Sequence, residues 1–150
     1  MAEIPRAGDS AVAIIETPDS FLAEGRPDMP GQLAHSGRAG LFGGHVEPDQ
    51  TPYDAIRAEL DQELDLRVIG PLQLIESGDF PSQNRRGEPV IRHVSLFHVA
   101  IGAATELNMK VAGSIVQIPK TLEGVEAYGD SVTAFTFRAL YRAVTGELPG

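Results

Sequence analysis

Cysteine is absent from this chain of 150 residues. That absence excludes disulfides, thiolate zinc sites and a cysteine nucleophile. Tryptophan is absent too, and aromatic residues make up only 6% of the chain. Aliphatic residues are plentiful, so the composition fits one domain with a substantial core over residues 1–150.

Basic residues are also scarce. Lys and Arg number 12 against 21 Asp and Glu, which gives a formal net charge of −9. Because a sequence-independent grip on phosphates needs clustered Lys and Arg, we expect no nucleic acid polymer as a partner. An acidic protein can still bind a small phosphorylated molecule when a divalent cation lies between the two.

Long apolar runs are missing as well. The longest, AVAII at 11–15, is far too short for a signal peptide or a membrane span. The N-terminal residues contain no basic region followed by an apolar stretch. We therefore expect no membrane partner and a soluble, cytoplasmic protein.

Short β-branched and apolar stretches predict a series of strands separated by turns rich in Gly and Pro. The predicted strands are SAVAIIE (10–16), FLAEGR (21–26), LFGG (41–44), RVIGPLQLIESGDF (67–80), VIRHVSLFHVAI (90–101), ELNMKV (106–111) and SIVQI (114–118). We interpret 27–40 as a loop and 81–89 as a hairpin turn. Loops such as 27–40, 78–89 and 119–130 are the expected determinants of specificity.

Residues 52–64 carry the strongest helix signal. Thr51 is suited to the N-cap, Pro52 to the first helical position and Asp54 to the acidic place of a capping box. Apolar residues at helical spacing should face the core. They are Tyr53, Ile56, Leu60 and Leu64.

A second amphipathic helix is predicted at 131–144, with Arg138 and Arg142 on its surface. Its expected core residues are Val132, Phe135, Leu140 and Tyr141. Strands mixed with two helices indicate a layered α/β fold with a mixed sheet.

The helix at 52–64 also carries the chemistry. Glu59 and Glu63 lie one turn apart on one face, beside Gln62, so they can offer two carboxylates to Mg²⁺ or Mn²⁺. Glu47, in the preceding loop, could add a third oxygen ligand. The turn Gly43-Gly44 would let backbone approach a ligand closely.

This stretch resembles the Nudix box, G-x5-E-x7-R-E-U-x-E-E-x-G-U, where U is a bulky aliphatic residue. The approach LFGGHVEPDQTP, and the order of elements around it, also resemble a Nudix domain. Five positions agree with the box: Gly44, Glu59, Leu60, Glu63 and Leu66. Four depart from it: Gln50 for Glu, Ala58 for Arg, Gln62 for Glu and Asp65 for Gly.

The four departures differ in weight. The family commonly pairs the Glu and Arg whose places Gln50 and Ala58 take, and losing both partners together can be nearly neutral. Asp65 is tolerable because Asp adopts left-handed conformations more easily than most residues. Gln62 matters most, since a neutral amide in the place of a metal-ligating Glu should weaken magnesium binding.

The resemblance implies an α/β/α sandwich and a divalent-metal-dependent pyrophosphatase. Its substrate would be a nucleoside-diphosphate-linked or related phosphorylated small molecule. Glu59, Glu63 and Gln62 would hold the metal, and Glu47, Glu123 or Glu126 would supply the base. His45 could touch phosphate, although a loop histidine is more often solvated. Family members often pair, so a homodimer is compatible with the resemblance.

Two other readings stay open at this point. The altered box also fits a Nudix-fold binding or regulatory module that no longer hydrolyses. A hydrolase that uses the same pocket without a metal, or with an unusual one, is the third reading.

Overall fold

The computed structural model describes residues 3–25, 38–63, 71–84, 86–102 and 114–147, without the side chains of Glu63 and Ser114. Predictions on 26–37, Leu64, Asp65, Leu66, 67–70 and 106–111 lie outside the described residues. The strands are β1 (Ser10–Glu16), β2 (Ser20–Gly25), β3 (Phe42–His45), β4 (Gln73–Gln83), β5 (Pro89–Ala100) and β6 (Ser114–Pro119). The helices are α1 (Pro52–Glu63), α2 (Leu122–Ala127) and α3 (Ala134–Thr145).

The six strands form one mixed sheet in the order β4-β5-β1-β2-β6, with β3 paired to β1. β1 runs parallel to β5 and antiparallel to both β2 and β3. Because β2 pairs with only the last part of β1, the first part of β1 is free to pair with β3. This split brings the turn Gly43-Gly44 beside the start of β1.

Alternate residues of β1 enter two separate cores, as the period of a strand requires. Ala11, Ala13 and Ile15 pack with Ile56 and Leu60 of α1. Ile14 packs instead with the second core, which includes Val125 of α2 and both Ala139 and Leu140 of α3. The sheet therefore lies between α1 on one face and α2 with α3 on the other. The α/β/α layering expected from the sequence is confirmed.

The capping box predicted for α1 forms as expected. The Asp54 N–H donates to Oγ1 of Thr51 at 3.1 Å, and the Thr51 N–H donates to Oδ2 of Asp54 at 3.4 Å. Ile56 and Leu60 are buried, whereas Tyr53 is 43% exposed. The prediction of a core position for Tyr53 was wrong, because its ring only packs edge-on against Phe97 at the rim of the core.

The C-terminal helix begins at Ala134, later than predicted, because Thr133 is its N-cap and accepts from the Thr136 N–H. Val132 and Leu140 are buried, as expected. The interpretation of 119–130 as a loop was wrong in part, since α2 occupies Leu122–Ala127. Among the described residues, no helix has both the length and the apolar character needed to span a membrane.

The hairpin between β4 and β5 is longer than the sequence indicated. The prediction of a turn over the whole of 81–89 was wrong, because Pro81, Ser82 and Gln83 stay paired with β5. Arg138 and Arg142, predicted as surface residues, both bind the carboxylate of Glu76 on β4. The Glu76 side chain is only 17% exposed, so this pairing fastens α3 onto β4.

Candidate functional site

The glycine turn packs directly on the backbone of β1. Gly44 lies opposite Ala11, and Gly43 lies opposite Val12. Gly43 has a φ of 151°, which side-chain-bearing residues rarely adopt. A Cβ on Gly43 would lie 2.1 Å from the carbonyl oxygen of Ala11. Glycine is therefore required at 43 for both conformation and space.

Gly44 is needed for a different reason. A Cβ there would meet the carboxylate of Glu59, at 2.8 Å from Oε1 and 3.3 Å from Oε2. The Glu59 side chain thus crosses from α1 and lies against the Gly44 backbone. Ile56 and Leu60 anchor α1 in the core on either side of Glu59, and this fixes where the carboxylate can reach.

Glu59 is the half-buried carboxylate of this site, and Gln62 is exposed on the same helix. Glu63 ends α1 one turn after Glu59, with its side chain outside the described part of the structure. The described residues contain no cluster of three His, Asp or Glu side chains that could hold a metal ion. Magnesium usually takes one or two carboxylates and fills its other positions with water and phosphate oxygens. Glu59 beside an open glycine backbone fits that kind of site.

Gln50 closes the loop that carries Glu47. The Gln50 N–H donates to the Glu47 carbonyl at 3.0 Å, and the side-chain Oε1 of Gln50 accepts from the Glu47 N–H at 3.0 Å. The loop is therefore held by two hydrogen bonds between Gln50 and Glu47, one of them to the neutral side-chain amide of Gln50. The family pattern has Arg at the place of Ala58, and this loop closes without that Arg. Glu47 stays exposed at the entrance to α1.

The remaining predicted site residues are not all brought together. His45 ends β3, and its ring lies near Gly8. A Cβ added to Gly8 would lie 3.7 Å from Nδ1 of His45. Glu123 and Glu126 are exposed on α2, whose Val125 belongs to the core on the other face of the sheet from α1. The structure does not bring these two carboxylates to Glu59.

His93 and His98, both on β5, have carboxylate partners that the sequence pattern did not predict. His93 Nδ1 lies 3.1 Å from Asp79 Oδ1, and Arg6 binds Oδ2 of the same Asp79 at 2.5 and 3.0 Å. The sequence predicts that Asp79 and His93 both lie on strands. What could not be known was the register that sets them opposite each other.

His98 pairs with Glu16 at 2.9 Å, and Lys120 binds the other oxygen of Glu16 at 2.7 Å. Burial acts to raise the pKa of Glu16, but the hydrogen bonds and charges of Lys120 and His98 outweigh it and lower the pKa below its usual value. Glu16 ends β1, whereas the glycine turn lies beside its start. This cluster therefore links β5 and the residue that follows β6 to the end of β1, away from Glu59.

Solved structures share this architecture. A bifunctional NMN adenylyltransferase/ADP ribose pyrophosphatase from Francisella tularensis matches with a TM-score of 0.65 and 22% identity over 91% of this chain, which spans 40% of that protein. The same protein has been solved in complex with AMP and a Mn ion. The Escherichia coli dihydroneopterin triphosphate pyrophosphohydrolase matches with a TM-score of 0.68 and 16% identity, over 94% of this chain and 97% of that one.

A mutT/nudix family protein from Listeria innocua matches with a TM-score of 0.69 and 19% identity, over 94% of both chains. No family model matches the sequence, and no curated protein sequence matches it either. The chain therefore has the Nudix fold, as the resemblance in its sequence implied.

Proposed function

We propose that this protein is a divalent-metal-dependent hydrolase that cleaves the diphosphate bond of a small phosphorylated molecule. The observation that carries the proposal is the contact between the Glu59 carboxylate and the Gly44 backbone. A carboxylate fixed beside an open turn of backbone is a place where a cation and a phosphate can meet. The solved structures support the same chemistry, because two of the similar proteins are named as pyrophosphatases or pyrophosphohydrolases.

A bound Mg²⁺ or Mn²⁺ would polarise the phosphoryl group and lower the pKa of an attacking water. Glu59 and Glu63 are the residues that would hold it, with Gln62 as a neutral oxygen ligand. Glu47, on a loop closed by Gln50, is the carboxylate we assign to proton removal from the attacking water. It lies on the chain segment between β3, which carries the glycine turn, and α1, which carries Glu59.

The cation would be held more weakly here than at an intact box. Gln62 brings an oxygen but no charge, and Glu59 supplies one carboxylate beside the turn. Substrate phosphates must therefore supply more of the negative charge around the ion. We infer that binding of the metal and of the substrate are strongly coupled, and that activity needs high concentrations of divalent cation.

Turnover on a panel of nucleotide sugars, dinucleoside polyphosphates and nucleoside triphosphates tests the proposal. We expect hydrolysis of a diphosphate-linked member in millimolar Mn²⁺ or Mg²⁺, and loss of hydrolysis in EDTA. Turnover that survives EDTA would favour the metal-independent reading. Tight binding without turnover would favour a regulatory module. The homodimer and the cytoplasmic location remain predictions from the sequence.

A further inference from the structure

Two carboxylates line an open cavity at the start of β1, outside the helix that carries the proposed metal ligands. The cavity has a volume of about 350 Å³ and lies between the segment before β1 and the hairpin of β4 and β5. Its polar wall is formed by Arg6, Asp9, Asp79 and His93. Of the two carboxylates, Asp9 is the one whose backbone pairs with the strand segment that carries the glycine turn.

The side chain of Asp9 lies on the same face of the sheet as α1. Ala11 packs toward α1, and successive side chains of a strand point to opposite faces. His45 points away from α1, because it follows Gly44, whose Cβ would meet a side chain of that helix. A Cβ on Gly8 would face the His45 ring, so the alternation continues before the start of β1. Asp9, the residue after Gly8, therefore points to the α1 face.

Strand pairing sets Asp9 beside the glycine turn. The pairing of β1 with β3 continues past the ends of both strands, because the Val46 N–H donates to the Asp9 carbonyl at 3.0 Å. Asp9 is thus the diagonal cross-strand neighbour of Gly44 on the same face, at a Cα separation of roughly 7–8 Å. The Glu59 carboxylate lies against Gly44. Asp9 and Glu59 therefore border the same stretch of backbone.

The charge of the Asp9 carboxylate is not neutralised by any residue in the described part of the chain. Asp9 is exposed, and its side chain makes no hydrogen bond or ion pair there. Arg6 lines the same cavity, but both of its terminal nitrogens bind Asp79. Two carboxylates that face one space repel each other, and a divalent cation between them reverses that repulsion. A negative charge of the kind that Gln62 lacks is thus present on β1.

We propose that Asp9 supplies negative charge to the divalent cation held at Glu59 and so offsets the neutral Gln62. The inference rests on the proposed function, because the cation is the one assigned there to the face of α1 beside Gly44. Magnesium keeps several of its waters when it binds to proteins. A carboxylate on the neighbouring strand can therefore act on the ion through a bound water.

Calorimetric titration of Mn²⁺ at low ionic strength tests the proposal with the native protein, Asp9→Asn and Asp9→Glu. Asp9→Asn removes the charge and keeps the shape of the side chain. We expect it to bind Mn²⁺ about tenfold more weakly, which is the order of attraction between a divalent cation and a unit charge across one layer of water. Asp9→Glu keeps the charge and should bind Mn²⁺ with nearly native affinity.

The matched control is Asp130→Asn, which removes an exposed aspartate between α2 and α3 and should leave the affinity for Mn²⁺ unchanged. The same substitutions in the Gln62→Glu background keep the loss measurable, because binding is expected to be tighter there. Asp9→Asn should again weaken binding in that background, and Asp9→Glu should not.

Equal affinity of the Asp9→Asn and Asp9 forms in both backgrounds would overturn the proposal and leave the metal site at Glu59 intact. The same holds if Asp130→Asn reproduces the loss, or if Asp9→Glu loses as much affinity as Asp9→Asn, since the role of Asp9 would then not depend on its charge at this site. Absence of Mn²⁺ binding by both the native protein and Gln62→Glu would overturn this inference together with the metal site. Because no substrate is turned over, a failure of the hydrolytic activity leaves the test intact.

Discussion

The stability of the protein should respond very differently when each of the two adjacent glycines of the turn is replaced by alanine. In Gly44→Ala, the new Cβ would fall 2.8 Å from Oε1 and 2.9 Å from Cδ of Glu59, which are atoms at the end of a flexible side chain. In Gly43→Ala, it would fall 2.1 Å from a carbonyl oxygen and 2.7 Å from a Cα, both fixed in β1. The first clash can be relieved by a side chain, whereas the second requires movement of the sheet.

The magnitudes follow from these contacts. Gly44→Ala restricts the unfolded chain, which stabilises by about 0.4–1 kcal/mol. Forcing Glu59 off its rotamer costs about 0.5–1.5 kcal/mol. The free energy of unfolding should therefore change by less than about 1 kcal/mol. Gly43→Ala adds about 1–3 kcal/mol of backbone strain to a main-chain clash, so we expect a loss of more than about 3 kcal/mol.

Activity should separate the two variants further. Moving the Glu59 carboxylate by a large part of an ångström would misplace the group that we propose holds the metal, and such shifts can cost about 100-fold in rate. Gly44→Ala should thus fold normally and lose most of its turnover in Mn²⁺. Urea unfolding and turnover of the best substrate measure the two effects. Gly44→Ala with native turnover, or with the instability expected of Gly43→Ala, would refute the reasoning.

Three further predictions concern the polar contacts. The pKa of Glu16 is lowered in the folded protein, so its stabilising effect is present above the usual value of 4.5 and lost as the pH falls below it; Glu16→Gln should flatten that acid limb in urea unfolding. Glu76→Gln should destabilise by about 2 kcal/mol, because the half-buried Arg138 loses its anion, and an unchanged urea midpoint would contradict this. Gln50→Ala should lower turnover several-fold, because the Glu47 N–H loses its acceptor. Gln50→Glu should instead keep turnover close to that of the native protein, since a carboxylate accepts the same bond. A loss of turnover equal to that of Gln50→Ala would contradict the loop-closing role.

The elements with strong local signals could be predicted from the sequence. The capping box at Thr51 and Asp54, the apolar spacing of Ile56 and Leu60, and the β-branched run of β1 each determine their structure locally. Tyr53 was misjudged because helical spacing identifies a face but not the edge of that face. Its position is set by how far α1 overlaps the sheet, which is a property of the tertiary structure.

The rest depended on pairings between distant segments. Glu76 meets Arg138 and Arg142 only because α3 packs across β4, and His93 meets Asp79 only through the register of the hairpin. A bulge near Leu74 shifts that register, and no residue-by-residue pattern predicts it. The helix α2 was missed because it is short, although Thr121 is a typical N-cap whose hydroxyl accepts from the Gly124 N–H.

The candidate site divides in the same way. Its residues follow from spacing along the chain, since Glu59 and Glu63 are one helical turn apart and the glycines precede them. The contact between Glu59 and Gly44 needs both the helix and the split pairing of β1, so it could not be predicted from either segment alone.

Titration of Mn²⁺ in a calorimeter, with native protein, Glu59→Gln and Gln62→Glu, tests the central claim most directly. The claim is that the face of α1 beside Gly44 is a divalent-metal site weakened by a neutral residue. We predict weak binding by the native protein, no measurable binding by Glu59→Gln, and binding at least about tenfold tighter by Gln62→Glu, because it adds a charged ligand. Equal affinities for all three proteins would contradict the claim.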